Sequence, residues 1–112
     1  MKFKDLRKAN AERQALWCDD PTRQPDLSFR GNELAGETGE ACNVIKKLER
    51  ERHGWRGSRA TVQDLADELA DVIICVDLIA MGAGIDLSVA VREKFNLTSR
   101  KVGLPTMIGE TE

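Results

Sequence analysis

Apolar residues recur at helical spacing in four segments of this chain, and nowhere do they alternate as a half-buried strand requires. The first segment runs from about Lys4 to Trp17, with Leu6, Ala9, Leu16 and Trp17 as scattered apolar positions. Asp19-Asp20-Pro21 ends it, and Pro25 keeps the next stretch from being helical. The second runs from about Phe29 to Arg52, where Leu34, Ala41, Ile45 and Leu48 fall in one arc. Gly36 and Gly39 lie inside it, each weakening a helix by roughly 1 kcal/mol relative to Ala. They point either to close approach by a backbone or ligand, or to small residues tolerated at a helix crossing.

The third helix is expected to start near Thr61, because Thr61-x-x-Asp64 has the form of a capping box with Asp in place of Glu. It runs to about Met81 and is stopped by Gly82 and Gly84. Its second half, with Val72, Ile73, Ile74, Val76, Leu78 and Ile79, is apolar nearly all round. In so short a chain such a helix belongs at a subunit interface. A fourth helix follows Ile85-Asp86-Leu87 and carries Val89, Ala90, Val91 and Phe95. The tail from about Gly103 is expected to be loose. The pattern predicts an all-α, four-helix bundle completed by homo-oligomerisation.

Composition narrows the function. The 112 residues make one domain, 1–112, and with only 4% aromatics and no Tyr its core must be aliphatic and Ala-rich. Lys and Arg number 17 against 19 Asp and Glu, for a net charge of −2. That balance argues against a coat for nucleic acid or an anionic membrane. Cys18, Cys42 and Cys75 lie far apart with no CxxC, which suits a reducing compartment and excludes a Cys-rich zinc site. The N-terminal stretch has no signal-like apolar run, and Val72 to Met81 is interrupted by Asp77 and too short to span a bilayer. A soluble, cytoplasmic protein is expected.

The acids are unevenly placed. Glu33, Glu37 and Glu40 are spaced i, i+4, i+7 on one face of the second helix, and Asp64, Glu68, Asp71 and Cys75 share a face of the third. The loop from about His53 to Ala60 is long enough to fold the helices back antiparallel, so Glu37-x-x-Glu40 can meet Glu68-x-x-Asp71. A lone ExxE is usually a solvated face. Glu68 and Asp71, however, are embedded among Leu65, Leu69 and Val72-Ile73-Ile74. Half-buried carboxylates this close repel one another unless a cation lies between them. All-oxygen ligands select Mg²⁺ first and Mn²⁺ second. Such a cage suits phosphoanhydride hydrolysis, with Glu37 or its neighbour also orienting the attacking water, so that Glu37 and Glu40 are the catalytic candidates.

Lys47 shares the face of Glu37 and Glu40 and is a candidate for phosphate binding. The basic stretch from Lys46 to Arg59 otherwise reads as charge pairing on a solvated helix end. Lys94, Asn96, Arg100 and Lys101 form a second polar group on the fourth helix, read either as polyphosphate ligands or as a solvated face. Trp17, Phe29 and Trp55 are candidates for stacking a base, or else core or interface residues. His53 is the only histidine, so serine or cysteine nucleophiles lack a general base.

Asn32-Glu33-Leu34-Ala35-Gly36-Glu37-Thr38-Gly39-Glu40, then Asn43 and Lys46-Lys47-Leu48, then Glu68-Leu69-Ala70-Asp71, resembles the MazG-like all-α nucleoside triphosphate pyrophosphohydrolases. Lys94-Phe95-Asn96, Ser99 and Gly103-Leu104 look like the small, phage-type members. The resemblance spans about residues 10 to 106. It implies a four-helix protein forming a homodimer or a dimer-of-dimers tetramer, with Mg²⁺ held by Glu37, Glu40, Glu68 and Asp71. It also implies cleavage of the α–β anhydride of (d)NTPs to a monophosphate and pyrophosphate, with Lys94 and Asn96 at phosphate or sugar contacts. Many members carry an acid just before the first pair, where this chain has Gly36. A likeness to MazZ-type enzymes, which act on dGTP and dATP, makes purine deoxynucleotides the first expectation. Two other classes compete. A di-iron bundle needs Glu-x-x-His motifs that are absent. A non-catalytic helical adaptor explains the apolar third helix but not the facing acids.

Overall fold

In the computed structural model, which describes residues 1–109, four helices carry the regular structure: α1 (Phe3–Trp17), α2 (Leu27–Arg52), α3 (Val62–Ala83) and α4 (Leu87–Val102). No strand occurs among the described residues, so the fold is all-α. Local chemistry sets the ends. Asp26, directly after Pro25, caps α2 by accepting the Phe29 N–H at 2.8 Å, which starts the helix ahead of the expected Phe29. At α3 the capping box forms: Thr61 Oγ1 accepts from the Asp64 N–H (3.1 Å) and the Asp64 carboxylate from the Thr61 N–H (2.8 Å). Gly82 stays inside α3. The stop falls at Gly84, whose φ of 69° is the left-handed conformation that glycine adopts without strain.

α2 and α3 fold back on each other through the 53–61 loop and form the main packing interface, α1 lies across α3, and α4 packs mainly against α1. Among the described residues the buried apolar set is small: Ala41, Val44, Cys75 and Ala80. What fastens α1 is polar. Its inward stripe is Arg7, Asn10 and Gln14, spaced one to two turns apart, while Leu16 and Trp17 stand exposed. Asp77 of α3 is fully buried (0% exposed) and Asn10 nearly so (2%). Arg7 Nε donates to Asp77 Oδ1 at 3.1 Å and Asn10 Nδ2 to Asp77 Oδ2 at 2.9 Å. Arg7 also reaches the Ile85 carbonyl at 2.8 Å, tying α1 to the turn before α4. The scattered apolar positions of the first segment therefore do not define its packing face.

One chain does not close into a compact unit. Its radius of gyration is 17.4 Å, where a compact chain of this length gives roughly 13 Å. α3 leaves Leu69 and Ile73 about half exposed (48% and 47%), and Val91, Phe95 and Leu97 of α4 are exposed as well. No single helix among the described residues is long and apolar enough to cross a membrane. α3 and α4 reach that composition only together, and they meet at 105°. The tail, expected to be loose, is tied back: the Leu104 N–H donates to the Ser99 carbonyl at 2.8 Å, and further on the Asn96 amide donates to the Ile108 carbonyl (2.9 Å) and accepts the Ile108 N–H (2.7 Å).

Candidate metal centre

The α2–α3 hairpin sets the two acidic faces against each other. One carboxylate oxygen from each of Glu37, Glu40 and Glu68 lies within 4.8 Å of the other two. Glu37 Oε2 and Glu68 Oε2 are buried and have no hydrogen-bond partner among the described residues. Buried acceptors are ordinarily satisfied, so two orphaned carboxylate oxygens on residues of one cluster leave acceptors that a cation could satisfy. The titration behaviour agrees. Burial raises the Glu37 carboxyl above its ordinary range, and Glu40, Asp71 and Glu68 raise it further. Glu68 is raised first by burial and then by Glu40, Asp71 and Asp67.

The pairing runs along the whole seam as antiparallel helices require. Glu33 lies by Cys75, Glu37 by Asp71, Glu40 by Glu68, and Lys47 by Asp64. Asp71 is exposed and stands beside the Glu37–Glu40–Glu68 cluster rather than inside it. The half-buried Lys47 faces Asp64, further along the seam than the acids. The Cys75 thiol is pushed up to about 11, by burial first and by Glu33 and Glu37 next, so it stays protonated at neutral pH. Thiolate ligation and thiolate attack are both disfavoured there, and the donor set is one of hard oxygens that fits Mg²⁺ or Mn²⁺.

A cleft of about 410 Å³ opens beside the acids, lined from α1, α2 and α3 and including Glu37, Asp71 and Cys75. Trp17 and Phe29 stand on its wall, with the Arg13 guanidinium 4.8 Å over the Trp17 ring and that of Arg30 5.7 Å from the Phe29 ring. Arg30 Nη1 pairs with Glu33 Oε1 at 2.9 Å, and Nη2 donates to Gln14 Oε1 at 2.8 Å. Glu33, left without a role by its spacing alone, is thus the partner of an arginine. A larger cavity, about 550 Å³ under the 18–26 segment, touches none of the clustered acids. The smaller cleft is the one that chemistry at the carboxylates can use.

Other expected residues lie elsewhere. Lys94 and Asn96 belong to α4, which lines no part of this cleft, and the Asn96 amide holds the tail. Trp55 stacks on His53 with ring centroids 4.5 Å apart. Arg50 folds over Gly57 and donates to the Ser58 carbonyl at 3.1 Å, so part of the basic stretch organises its own loop. Around Gly36 and Gly39 no atom lies within 4 Å of where a Cβ would stand. Within the single chain these glycines therefore serve no close approach. Arg30 and Gln14 were not marked by any sequence motif. The only local signal was the helical i, i+3 spacing of Arg30 and Glu33.

Compared with known proteins, the chain matches no family model and no curated protein.

The cluster has a measurable signature in stability. Glu37 and Glu68 bind protons more readily folded than unfolded, so their repulsion acts fully above their raised values and is relieved as pH falls through them. Asp20, Asp64 and Asp86 are lowered by hydrogen bonds to turn and cap groups. Their contribution is present above the ordinary Asp value and is lost as pH falls through the lowered ones. Without divalent cations the melting temperature is expected to rise as pH falls from neutrality toward the ordinary Glu value and to fall again below the ordinary Asp value. Saturating Mg²⁺ should raise it most near neutrality and remove the first rise. Thermal melts across pH, with and without the ion, check both.

Proposed function

We propose that this chain is a metal-dependent nucleotide pyrophosphohydrolase of MazG-like type. It would cleave the α–β phosphoanhydride of (d)NTPs, purine deoxynucleotides first, to a monophosphate and pyrophosphate. The observation that carries this reading is the opposed cluster of Glu37, Glu40 and Glu68, with its two orphaned buried oxygens, beside an aromatic-walled cleft of nucleoside size. Glu37, Glu40 and Glu68 would hold Mg²⁺ or Mn²⁺, with Asp71 at the edge. When bound, such an ion polarises phosphate oxygens, offsets the charge that develops on them and acidifies a coordinated water.

The chain's own residues do the rest. Glu37 faces both the cluster and the cleft and orients the attacking water by accepting a hydrogen bond from it. The water oxygen adds to the α-phosphorus as its proton passes to the Glu37 carboxylate, the bond from that phosphorus to the α–β bridging oxygen breaks, and the bridging oxygen leaves with pyrophosphate. Trp17 and Phe29 offer faces to the base, and Lys47 lies along the seam toward which a polyphosphate extends. Lys94 and Asn96 would join through a second copy, in a homodimer or a dimer of dimers that covers Leu69 and Ile73. Ile73→Asp is then expected to shift the wild-type oligomer to monomer by size-exclusion chromatography with light scattering.

Ion-exchange analysis of products from a panel of (d)NTPs tests the reaction. Monophosphate with pyrophosphate, formed only with Mg²⁺ or Mn²⁺, supports it. Release of orthophosphate, or no turnover of any nucleotide by metal-loaded protein, overturns it and favours the non-catalytic adaptor.

A further inference from the structure

We propose that Arg30 and Glu33 read the base, and that the cleft selects a 6-oxopurine (guanine or hypoxanthine) over adenine and the pyrimidines. The inference rests on the nucleotide reading of the acid cluster. Arg30 and Glu33 both line the cleft, joined at 2.9 Å. Gln14 holds the other terminal nitrogen of Arg30 at 2.8 Å. The guanidinium is therefore fixed at two points, and its side chain is only 12% exposed. A charged group kept this far from water beside an open cleft is placed to be used there.

The donor and acceptor pattern decides which base fits. A guanidinium has five N–H donors, and Glu33 Oε1 and Gln14 Oε1 each occupy one terminal nitrogen. Donors remain for two acceptors side by side, as O6 and N7 of a 6-oxopurine present them. Glu33 is still able to accept the adjacent N1–H. Adenine places its N6 amino group where O6 would lie, setting donor against donor. Thymine and uracil offer a carbonyl and an N–H but no second adjacent acceptor; cytosine does offer such a pair in O2 and N3 and is set apart by its single ring, which leaves less for Trp17 and Phe29 to cover. The spacing also fits. Arg30 and Glu37 are seven residues apart on α2, roughly 10 Å along the axis, which leaves room for a sugar between a base at one and a phosphate at the other.

The test is equilibrium binding of dGMP, dIMP, dAMP, dCMP and dTMP, followed by calorimetry and by the fluorescence of Trp17 in a Trp55→Phe background, Trp55 being the only other tryptophan. The wild type is expected to favour dGMP and dIMP over dAMP by about tenfold or more, the scale of one bidentate contact. Arg30→Lys, which keeps the charge and loses the fork, and Glu33→Gln should each collapse that ratio while Mn²⁺ affinity stays within a few-fold of wild type. Equal binding of dAMP by the wild type, or an unchanged ratio in both variants, overturns the assignment. Turnover is scored separately. Hydrolysis with an unaltered base ranking in Arg30→Lys sinks the base assignment alone. Selective monophosphate binding without hydrolysis sinks the reaction and leaves the base assignment standing.

Discussion

Glu68→Gln is expected to abolish metal-dependent turnover and, in the same protein, to raise the stability of the metal-free fold. The glutamine keeps the shape of the side chain and removes one charge from a cluster whose ligand atoms lie within 4.8 Å of one another. Glu68 Oε2 is buried without a partner, and an amide there donates to the neighbouring carboxylates of Glu37 or Glu40. Repulsion that raises both Glu37 and Glu68 is relieved, so the metal-free melting temperature rises. The ion loses a hard anionic ligand at the same time. Loss of activity should exceed the roughly 100-fold that removal of an outer-shell partner costs. Melting curves and steady-state turnover read the two effects, and their opposite signs separate a functional cluster from a structural one. A variant that is both less stable and fully active would contradict the assignment.

The second large effect lies away from the acids, at the polar fastening of α1. Asp77 has no exposed surface, and its charge is balanced by Arg7 at 3.1 Å and satisfied further by Asn10 at 2.9 Å. Arg7→Ala leaves a buried carboxylate without its counter-charge, a change that costs about 3–5 kcal/mol. Against a whole-domain stability of about 5–15 kcal/mol, that is a large share. Replacing the whole polar set by apolar residues, Arg7→Met and Asn10→Leu with Asp77→Leu, should restore much of the loss, because neither a charge nor an unpaired buried amide then remains. Denaturant titration of both variants gives the comparison. The outcome bears on the cleft too, since Gln14 and Trp17 reach it only while α1 stays docked on α3.

The acidic seam was legible because it depends on local rules. Helical periodicity places Glu37 with Glu40 and Glu68 with Asp71, and a loop as short as 53–61 leaves α2 and α3 few arrangements other than antiparallel. The Thr61 cap and the Gly84 stop follow from residue chemistry in the same way. The extent of α1 is legible in the sequence, but its packing face is not, for a physical reason. Its packing face is polar, so apolar periodicity points to Leu16 and Trp17, which solvent reaches, and away from Arg7, Asn10 and Gln14. Asp77 looked like an interruption in an apolar run, whereas it is the residue that anchors α1. Arg30 depended on that docking as well. Its contact to Gln14 joins residues from different helices, and no spacing within one helix announces it.

α4 shows the other limit. Lys94 and Asn96 share a segment whose helical register was clear, yet its direction was set by the turn at Gly84 and the 105° bend that follows. Within one chain that direction takes α4 to α1 and not to the cleft beside the acids.

We propose that the carboxylates of α2 and α3 hold a divalent ion between them. Titration of Mn²⁺ followed by the loss of its free-ion paramagnetic resonance signal tests this directly, without substrate or turnover. The wild type should bind Mn²⁺ in competition with Mg²⁺, and Glu40→Gln and Glu68→Gln, both folded by circular dichroism, should bind it much more weakly. Undiminished Mn²⁺ binding in both variants would place the ion elsewhere and contradict the claim.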